Sequence, residues 1–195
     1  MSIMVTGGAG FVGNRIIRKL VERGEEVVCF DMAPPRGNLN PFLDRLQVYR
    51  GDITQIPHLL EAVNIHQVHK IIHMAALLPP DTEERPHFGM QINIQGTNNV
   101  FEVARWTGVQ RVVYASSIGV YGVQETFGER QVTEDDLSDP INVYGFTKAA
   151  NDFAAGKYID RYGLDLRGIR ICTVFGHGRV TGMTGMIGGL LVSLP

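Results

Sequence analysis

The sequence predicts an α/β fold, a doubly wound parallel sheet with helices on both faces, and three observations predict it. Short β-branched runs alternate with amphipathic stretches along the chain, a glycine-rich turn joins the first run to the first amphipathic stretch, and no fixed-period repeat or low-complexity tract breaks the order. Strand, helix and strand in repeated succession call for parallel pairing through right-handed crossovers. The first run, residues 3–5, is apolar throughout, as suits a strand covered on both faces. In residues 11–23, Val12, Ile16, Ile17, Leu20 and Val21 recur at three- and four-residue spacing while Arg15, Arg18, Lys19 and Glu22 fill the other face. That is an amphipathic helix, closed by Gly24 as a C′ glycine. Further strands are expected at 27–30, 46–49, 70–73, 111–114 and 166–171, and further helices at about 58–63, 91–107 and 143–162. The loops 32–44, rich in Pro, Gly and Asn, and 123–139, acidic and without apolar periodicity, each follow a strand. Loops at strand C-terminal ends form the ligand crevice of an open α/β sheet, so both are candidate binding loops, with plain surface connection as the alternative.

Composition narrows the function classes. The chain has 195 residues, a formal net charge of −2 and 44% hydrophobic residues, an ordinary globular balance. Without a basic excess to neutralise a phosphate backbone, nucleic acid is not expected as a partner. Residues 183–195, the most apolar stretch, are too short and glycine-rich to cross a bilayer, and the N-terminus has no secretory signal, so no membrane partner and a cytoplasmic location are expected. Cys29 and Cys172 each sit in an apolar run and read as free buried thiols of a reducing compartment. Neither has a candidate base nearby, so a cysteine nucleophile is not supported. His66, His69 and His73 suggest no metal site, since His73 ends a strand, the other two fall in the preceding loop, and no Cys or carboxylate cluster completes a ligand set.

Glycine is the outlier: 23 of 195 residues, about 12% where about 7% is usual. Gly7, Gly10 and Gly13 form G-x-x-G-x-x-G between the first strand and the first helix. One glycine permits a tight turn, the next lets backbone approach a pyrophosphate, and the third lets the helix pack closely on the sheet, with the helix N-terminus offering free N–H groups to phosphate. Asp31 ends the second strand about 20 residues on, where a carboxylate accepts from the adenosine ribose hydroxyls. Such a carboxylate repels a 2′-phosphate, which favours NAD over NADP, with Arg36 in the next loop as a countervailing charge. Together these features make the fold Rossmann-like. Asp52 and Ile53 follow the third strand, placed to meet an adenine ring or, alternatively, to start an Asp-Ile-Thr turn. His73-Met74-Ala75-Ala76 offers small residues for the cofactor to lie against, His73 itself reading as structural.

Tyr144 and Lys148 are four residues apart, so on a helix both leave one face a turn apart. A phenol there can move a proton to or from a carbinol or carbonyl oxygen, and a nearby cation favours the phenolate. Asp139-Pro140 and Asn142 are helix-start signals that place Tyr144 near the positive end of the macrodipole. Ser117, just past the fifth strand, is placed to hydrogen-bond the same substrate oxygen.

These motifs, in order along nearly the whole chain, resemble the extended short-chain dehydrogenase/reductase family of sugar-nucleotide epimerases and dehydratases. The matching segments are Thr6 to Gly13, Asp31, Gly51-Asp52-Ile53, His73 to Ala76, Asn93 to Thr97, Ser116 to Gly122 and Tyr144 to Lys148. The resemblance implies Tyr144 as acid/base, Lys148 holding the nicotinamide ribose and lowering the tyrosine pKa, Ser117 as donor to the substrate oxygen, and Asn93 as a supporting asparagine. It implies NAD contacts from Gly7, Gly10, Phe11, Val12, Gly13, Asp31, Met32, Asp52, Ile53, Met74, Ala75, Ala76, Ala115, Tyr144, Lys148 and Ile171. Substrate contacts are expected from Ser117, Ile118, Thr173 and Arg179, and a homodimer through helices 91–107 and 143–162. Thr173 stands where the family often has asparagine against the nucleotide part of a substrate, and His177-Gly178-Arg179 replaces its Pro-Gly-Arg. Residues 1–176 are therefore expected to form an NAD-binding domain carrying the catalytic residues, and 177–195 the start of a substrate-binding lobe that is truncated here. The expected activity is NAD-dependent epimerase/dehydratase-type oxidoreduction at a secondary hydroxyl of a sugar or nucleotide sugar. The alternatives are a dehydrogenase of a free sugar acid or polyol, and a non-catalytic NAD-binding sensor or scaffold.

Overall fold

A computed structural model describes residues 2–176 and Arg179. Six strands, β1 (Ser2–Thr6), β2 (Val27–Asp31), β3 (Leu46–Arg50), β4 (Val68–His73), β5 (Arg111–Ser117) and β6 (Leu166–Ile171), form one sheet in the order β3-β2-β1-β4-β5-β6. Every pairing is parallel. The order reverses between β1 and β4, and the crevice of such a sheet opens at the strand C-terminal ends on either side of that reversal. Those ends carry Thr6, Asp31, His73 and Ser117.

Alternation along the strands separates two apolar layers. Met4, Val28 and Ile71 face one side and pack with Leu59 of α2 (Ile56–Ile65), Val100 and Phe101 of α5 (Gly96–Thr107) and Ala155 of α6 (Val143–Tyr162). Val5, Val27 and Cys29 face the other side and pack with Ile17 and Val21 of α1 (Phe11–Glu22). All five residues of β1 are buried, whereas Gln47, Val48, Arg167 and Ile169 of β3 and β6 are exposed. Cover on both faces thus holds for the central strands but not for the edges, where one neighbour is missing.

Several boundaries depart from the sequence reading. β4 begins at Val68, so His69 lies in a strand and not in the loop before it. β5 runs on to Ser117, making that serine the last residue of the strand. Two short helices, α3 (Asp81–Glu84) and α4 (Pro86–Met90), are too brief to show periodicity in the sequence. α4 runs through a π-helical turn at Gln91–Gln95 into α5, so the helix expected at 91–107 starts earlier and is interrupted. The 32–44 loop is largely a 3₁₀ segment, Gly37–Arg45, whose Leu39 is fully buried. Cys29 is buried and its thiol is pushed up to about 12 by burial and by Asp31. Cys172 is exposed, contrary to expectation, because β6 ends at Ile171 and leaves it in a connecting segment. Among the described residues no helix is long and apolar enough to cross a membrane, and no group of His, Cys, Asp and Glu is placed to hold a metal ion. The expected lobe at 177–195 lies outside the described residues except for Arg179.

Candidate active site

The three motif glycines do three different things. Gly7 has φ +66°, and a Cβ on it would lie 2.6 Å from the Ala75 nitrogen, so the turn rests directly on the backbone that follows β4. A Cβ on Gly13 would lie 2.1 Å from the Gly7 carbonyl oxygen, so no other residue lets α1 approach the turn this closely. A Cβ on Gly10 would meet only the Gly7 oxygen, at 3.1 Å, leaving its outer side open. Gly10 is the N-cap of α1, has no side chain to cap the helix, and is followed by a first turn without an acidic residue. That arrangement presents helix N–H groups and the positive dipole end to an anion. Asp31 stands beside it: one carboxylate oxygen accepts from the Ala9 N–H at 3.0 Å and the other from the Ala33 N–H at 2.9 Å. Each oxygen keeps a lone pair for a ribose hydroxyl. The turn, the open helix end and the carboxylate therefore fit a dinucleotide.

Across the sheet reversal, Ser117 and the first turn of α6 meet. The Ser117 hydroxyl oxygen accepts from the Gly119 N–H at 3.1 Å, and the same side chain hydrogen-bonds the Tyr144 phenol. Burial pushes the phenol pKa up, against the Ser117 hydrogen bond and the positive charge of Arg179. Arg179 adds positive charge that favours the phenolate, beside the lysine one turn along the helix. The Lys148 ammonium donates to the Ala115 carbonyl at 2.7 Å, with its nitrogen 5.6 Å from the Tyr144 ring centre. Burial pushes Lys148 down to about 8, opposed by Asp152, so it is charged at neutral pH. Asp152 is in turn held by the Tyr114 and Ser116 hydroxyls and by Arg170.

A buried polar chain supports this pair. Asn93, fully buried, accepts from the Leu77 N–H at 2.8 Å and donates to the Leu77 carbonyl and to the Thr147 hydroxyl, which donates to the Tyr144 carbonyl. In the π-helical turn the Asn93 carbonyl accepts from the Thr97 hydroxyl and the Asn151 amide. Because Thr97 donates to Asn93, it accepts from Nε2 of His73, which leaves Nδ1 to accept from the Thr6 hydroxyl at 2.6 Å. Burial pushes His73 down to about 3, with Lys148 acting in the same direction, so the ring is neutral and structural, as its strand-end position suggests. Thr97 and Thr147 lie in matching segments but carry no role there, and Asn151 is not singled out, because nothing in their local spacing marks a contact made across three elements.

The family model described as the NAD-dependent epimerase/dehydratase family matches residues 3–187. The chain belongs to that family. Within it, the chain is 32% identical over 177 residues to a putative UDP-glucose 4-epimerase of Methanocaldococcus jannaschii, covering 90% of this chain and 56% of that protein. It is 30% identical to the D-erythronate dehydrogenase of Cupriavidus necator, covering 89% and 55%. The crystal structure of the Thermus thermophilus UDP-glucose 4-epimerase in complex with NAD is similar at TM-score 0.84 and 27% identity, covering all of this chain and 64% of that one. The chain spans between 40% and 58% of the length of these and other curated relatives.

As a member of the epimerase/dehydratase family, the chain brings most of its expected site residues to the crevice. Met74, Ala75, Ala76, Ala115, Ile118 and Ile171 lie at or just after the ends of β4, β5 and β6, none of them fully buried. Asp52 realises the turn alternative, its carboxylate accepting from the Thr54 N–H at 2.8 Å. Ile53 turns its side chain into the core, against Gly96, and its carbonyl accepts from Asn99, so only its backbone remains for an adenine. Met32 is 59% exposed and Thr173 is exposed. Arg179 lies 5.4 Å from the Phe11 ring centre, and Arg15 lies 3.6 Å from it on its own helix.

Proposed function

We propose that this chain carries the cofactor-binding and catalytic part of an NAD-dependent enzyme that oxidises a secondary hydroxyl of a nucleotide sugar, in the manner of an epimerase or dehydratase. The observation that carries this reading is the convergence of the Ser117 hydroxyl, the Tyr144 phenol and the Lys148 ammonium at the end of β5, across the reversal from an open glycine turn. Residues 1–176 form the NAD-binding domain on this reading, and 177–195 begin the substrate-binding lobe. Bound NAD supplies the hydride acceptor. Gly10, Phe11, Val12 and Gly13 hold its pyrophosphate at the start of α1, Asp31 the adenosine ribose, and Lys148 the nicotinamide ribose. Ser117 orients the substrate oxygen and Tyr144 takes its proton, assisted by positive charge nearby. The cytoplasm suits this chemistry and the free Cys29 thiol.

A second reading has its own support: the similarity to a D-erythronate dehydrogenase, together with Thr173 at a position where the sugar-nucleotide members often carry asparagine, favours a sugar acid or polyol. A screen of nucleotide sugars, sugar acids and polyols with NAD separates the two. Isomerised or dehydrated nucleotide sugar without net NADH supports the first reading; stoichiometric NADH from a sugar acid supports the second. Asp31→Ala is expected to weaken NAD binding and relax discrimination against NADP in a titration of both cofactors. Unaltered preference would remove Asp31 from the site.

We also propose a homodimer through helices 91–107 and 143–162. Phe146 is 51% and Phe153 69% exposed on α6, with Met90 exposed where the 91–107 helix begins. Burying such side chains is worth about 1.5–3 kcal/mol each. Phe153→Glu is expected to yield a folded monomer by light scattering, and a monomeric parent protein would contradict the dimer.

A further inference from the structure

The two helix starts that border the crevice are treated oppositely. The first turn of α1 is left open, whereas that of α6 is closed by two separate side chains. The Asn142 side-chain oxygen accepts from the Gly145 N–H at 2.7 Å. Glu83, from α3 and some 60 positions earlier in the chain, accepts from the Val143 N–H at 3.0 Å with one oxygen and from the Tyr144 N–H at 3.1 Å with the other. The Thr82 hydroxyl, on a fully buried residue, donates to that second oxygen at 2.9 Å and steadies it.

We infer that Glu83 is a positioning residue for Tyr144, fixing the start of the catalytic helix with a bidentate carboxylate supplied by the 77–90 segment. This rests on the reading of Tyr144 as the acid/base. Tyr144 is thereby gripped on both sides of its own backbone, its N–H by Glu83 and its carbonyl by the Thr147 hydroxyl. The segment bearing Glu83 is itself tied down at Leu77, whose N–H and carbonyl both bond Asn93. Helix start, phenol and the 77–90 segment therefore move as one body, and displacing the segment displaces the phenol.

Glu83 also acts through charge. A carboxylate at a helix N-terminus offsets the positive end of the macrodipole, and Tyr144 sits in that first turn. With the carboxylate present, the dipole stabilises the phenolate less. The other groups facing the phenol are Ser117 from β5, Lys148 one turn along α6, and Arg179. Burial acts to raise the Glu83 carboxyl, but its hydrogen bonds to Val143, Tyr144 and Thr82 hold it below the usual range, so it is ionised at neutral pH.

The test compares Glu83→Ala and Glu83→Gln with the parent full-length protein by amide hydrogen exchange at Val143 and Tyr144 and by ultraviolet titration of Tyr144, with Tyr144→Phe as the spectral reference. In the Ala variant both amides are expected to exchange roughly tenfold faster, the cost of losing a charge-assisted hydrogen bond. The Tyr144 midpoint is expected to fall by about half a pH unit. Gln, which keeps an acceptor but no charge, restores protection at one amide while leaving the midpoint lowered, and it serves alone if the Ala variant does not fold. Unchanged exchange overturns the cap, and changed exchange with an unchanged midpoint overturns the positioning role. Neither readout depends on turnover, so a Tyr144→Phe protein that remains active would instead overturn the acid/base reading.

Discussion

Tyr144→Phe is expected to reduce kcat roughly a hundred- to ten-thousand-fold, the usual contribution of a positioned proton-transfer group, while NAD affinity stays near that of the parent. Among the described residues, Ser117 is the strand residue that acts on the phenol, and the helix start is fixed by backbone bonds that phenylalanine keeps. The loss therefore falls on the chemical step and not on the fold. Ser117→Ala belongs to the same unit, since the hydroxyl it removes lowers the phenol pKa against burial and is the proposed partner of the substrate oxygen. Full turnover by Tyr144→Phe, measured on whichever nucleotide sugar the screen identifies, would remove the tyrosine from the reaction.

Gly13→Ala is expected to be strongly damaging. Its Cβ would stand 2.1 Å from the Gly7 oxygen and 2.9 Å from both the Gly7 carbonyl carbon and Gly8 Cα. All three are backbone atoms that no rotamer change can move aside. Separating α1 from the turn to relieve this costs about 3 kcal/mol or more and displaces the first-turn N–H groups proposed to hold the pyrophosphate. Gly10→Ala is the internal control: its methyl meets only one atom, at 3.1 Å, and it replaces a neutral N-cap by a poor one at a cost of about 1 kcal/mol. Urea unfolding and NAD titration are expected to show Gly13→Ala losing both stability and binding, and Gly10→Ala losing mainly binding. Equal behaviour of the two variants would contradict the division of labour among the glycines.

Local signals in the sequence reach as far as the fold and the strand-end motifs. The apolar run of β1, the 3.6-residue period of α1 and the Gly7, Gly10, Gly13 spacing each report on neighbours a few residues away, and all three stand in the structure as read. What spacing does not carry is aim. Tyr144 and Lys148 share a helix face, yet the Lys148 ammonium donates to the Ala115 carbonyl, and Arg179, distant in sequence, adds its charge at the phenol. Nor does spacing reveal contacts made at long range. Glu83 looks like one acid among several between two prolines, and only the docking of α3 on α6 makes it a cap. Asn151 and Thr97 are likewise polar residues on amphipathic helices until the π-helical turn exposes the Asn93 carbonyl to both. The edge positions of β3 and β6 follow from strand order, which local apolar runs do not encode, and Cys172 is exposed because β6 ends one residue before it.

On the proposed reading, one NAD joins the open start of α1 to the Ser117, Tyr144 and Lys148 group. A crystal structure of the full-length protein with NAD tests it most directly. The pyrophosphate is expected against the first-turn N–H groups of α1, with the adenosine ribose on Asp31 and the nicotinamide ribose within hydrogen-bond reach of the Lys148 ammonium. A dinucleotide bound elsewhere, or a nicotinamide ribose held away from Lys148 and Tyr144, would contradict the account.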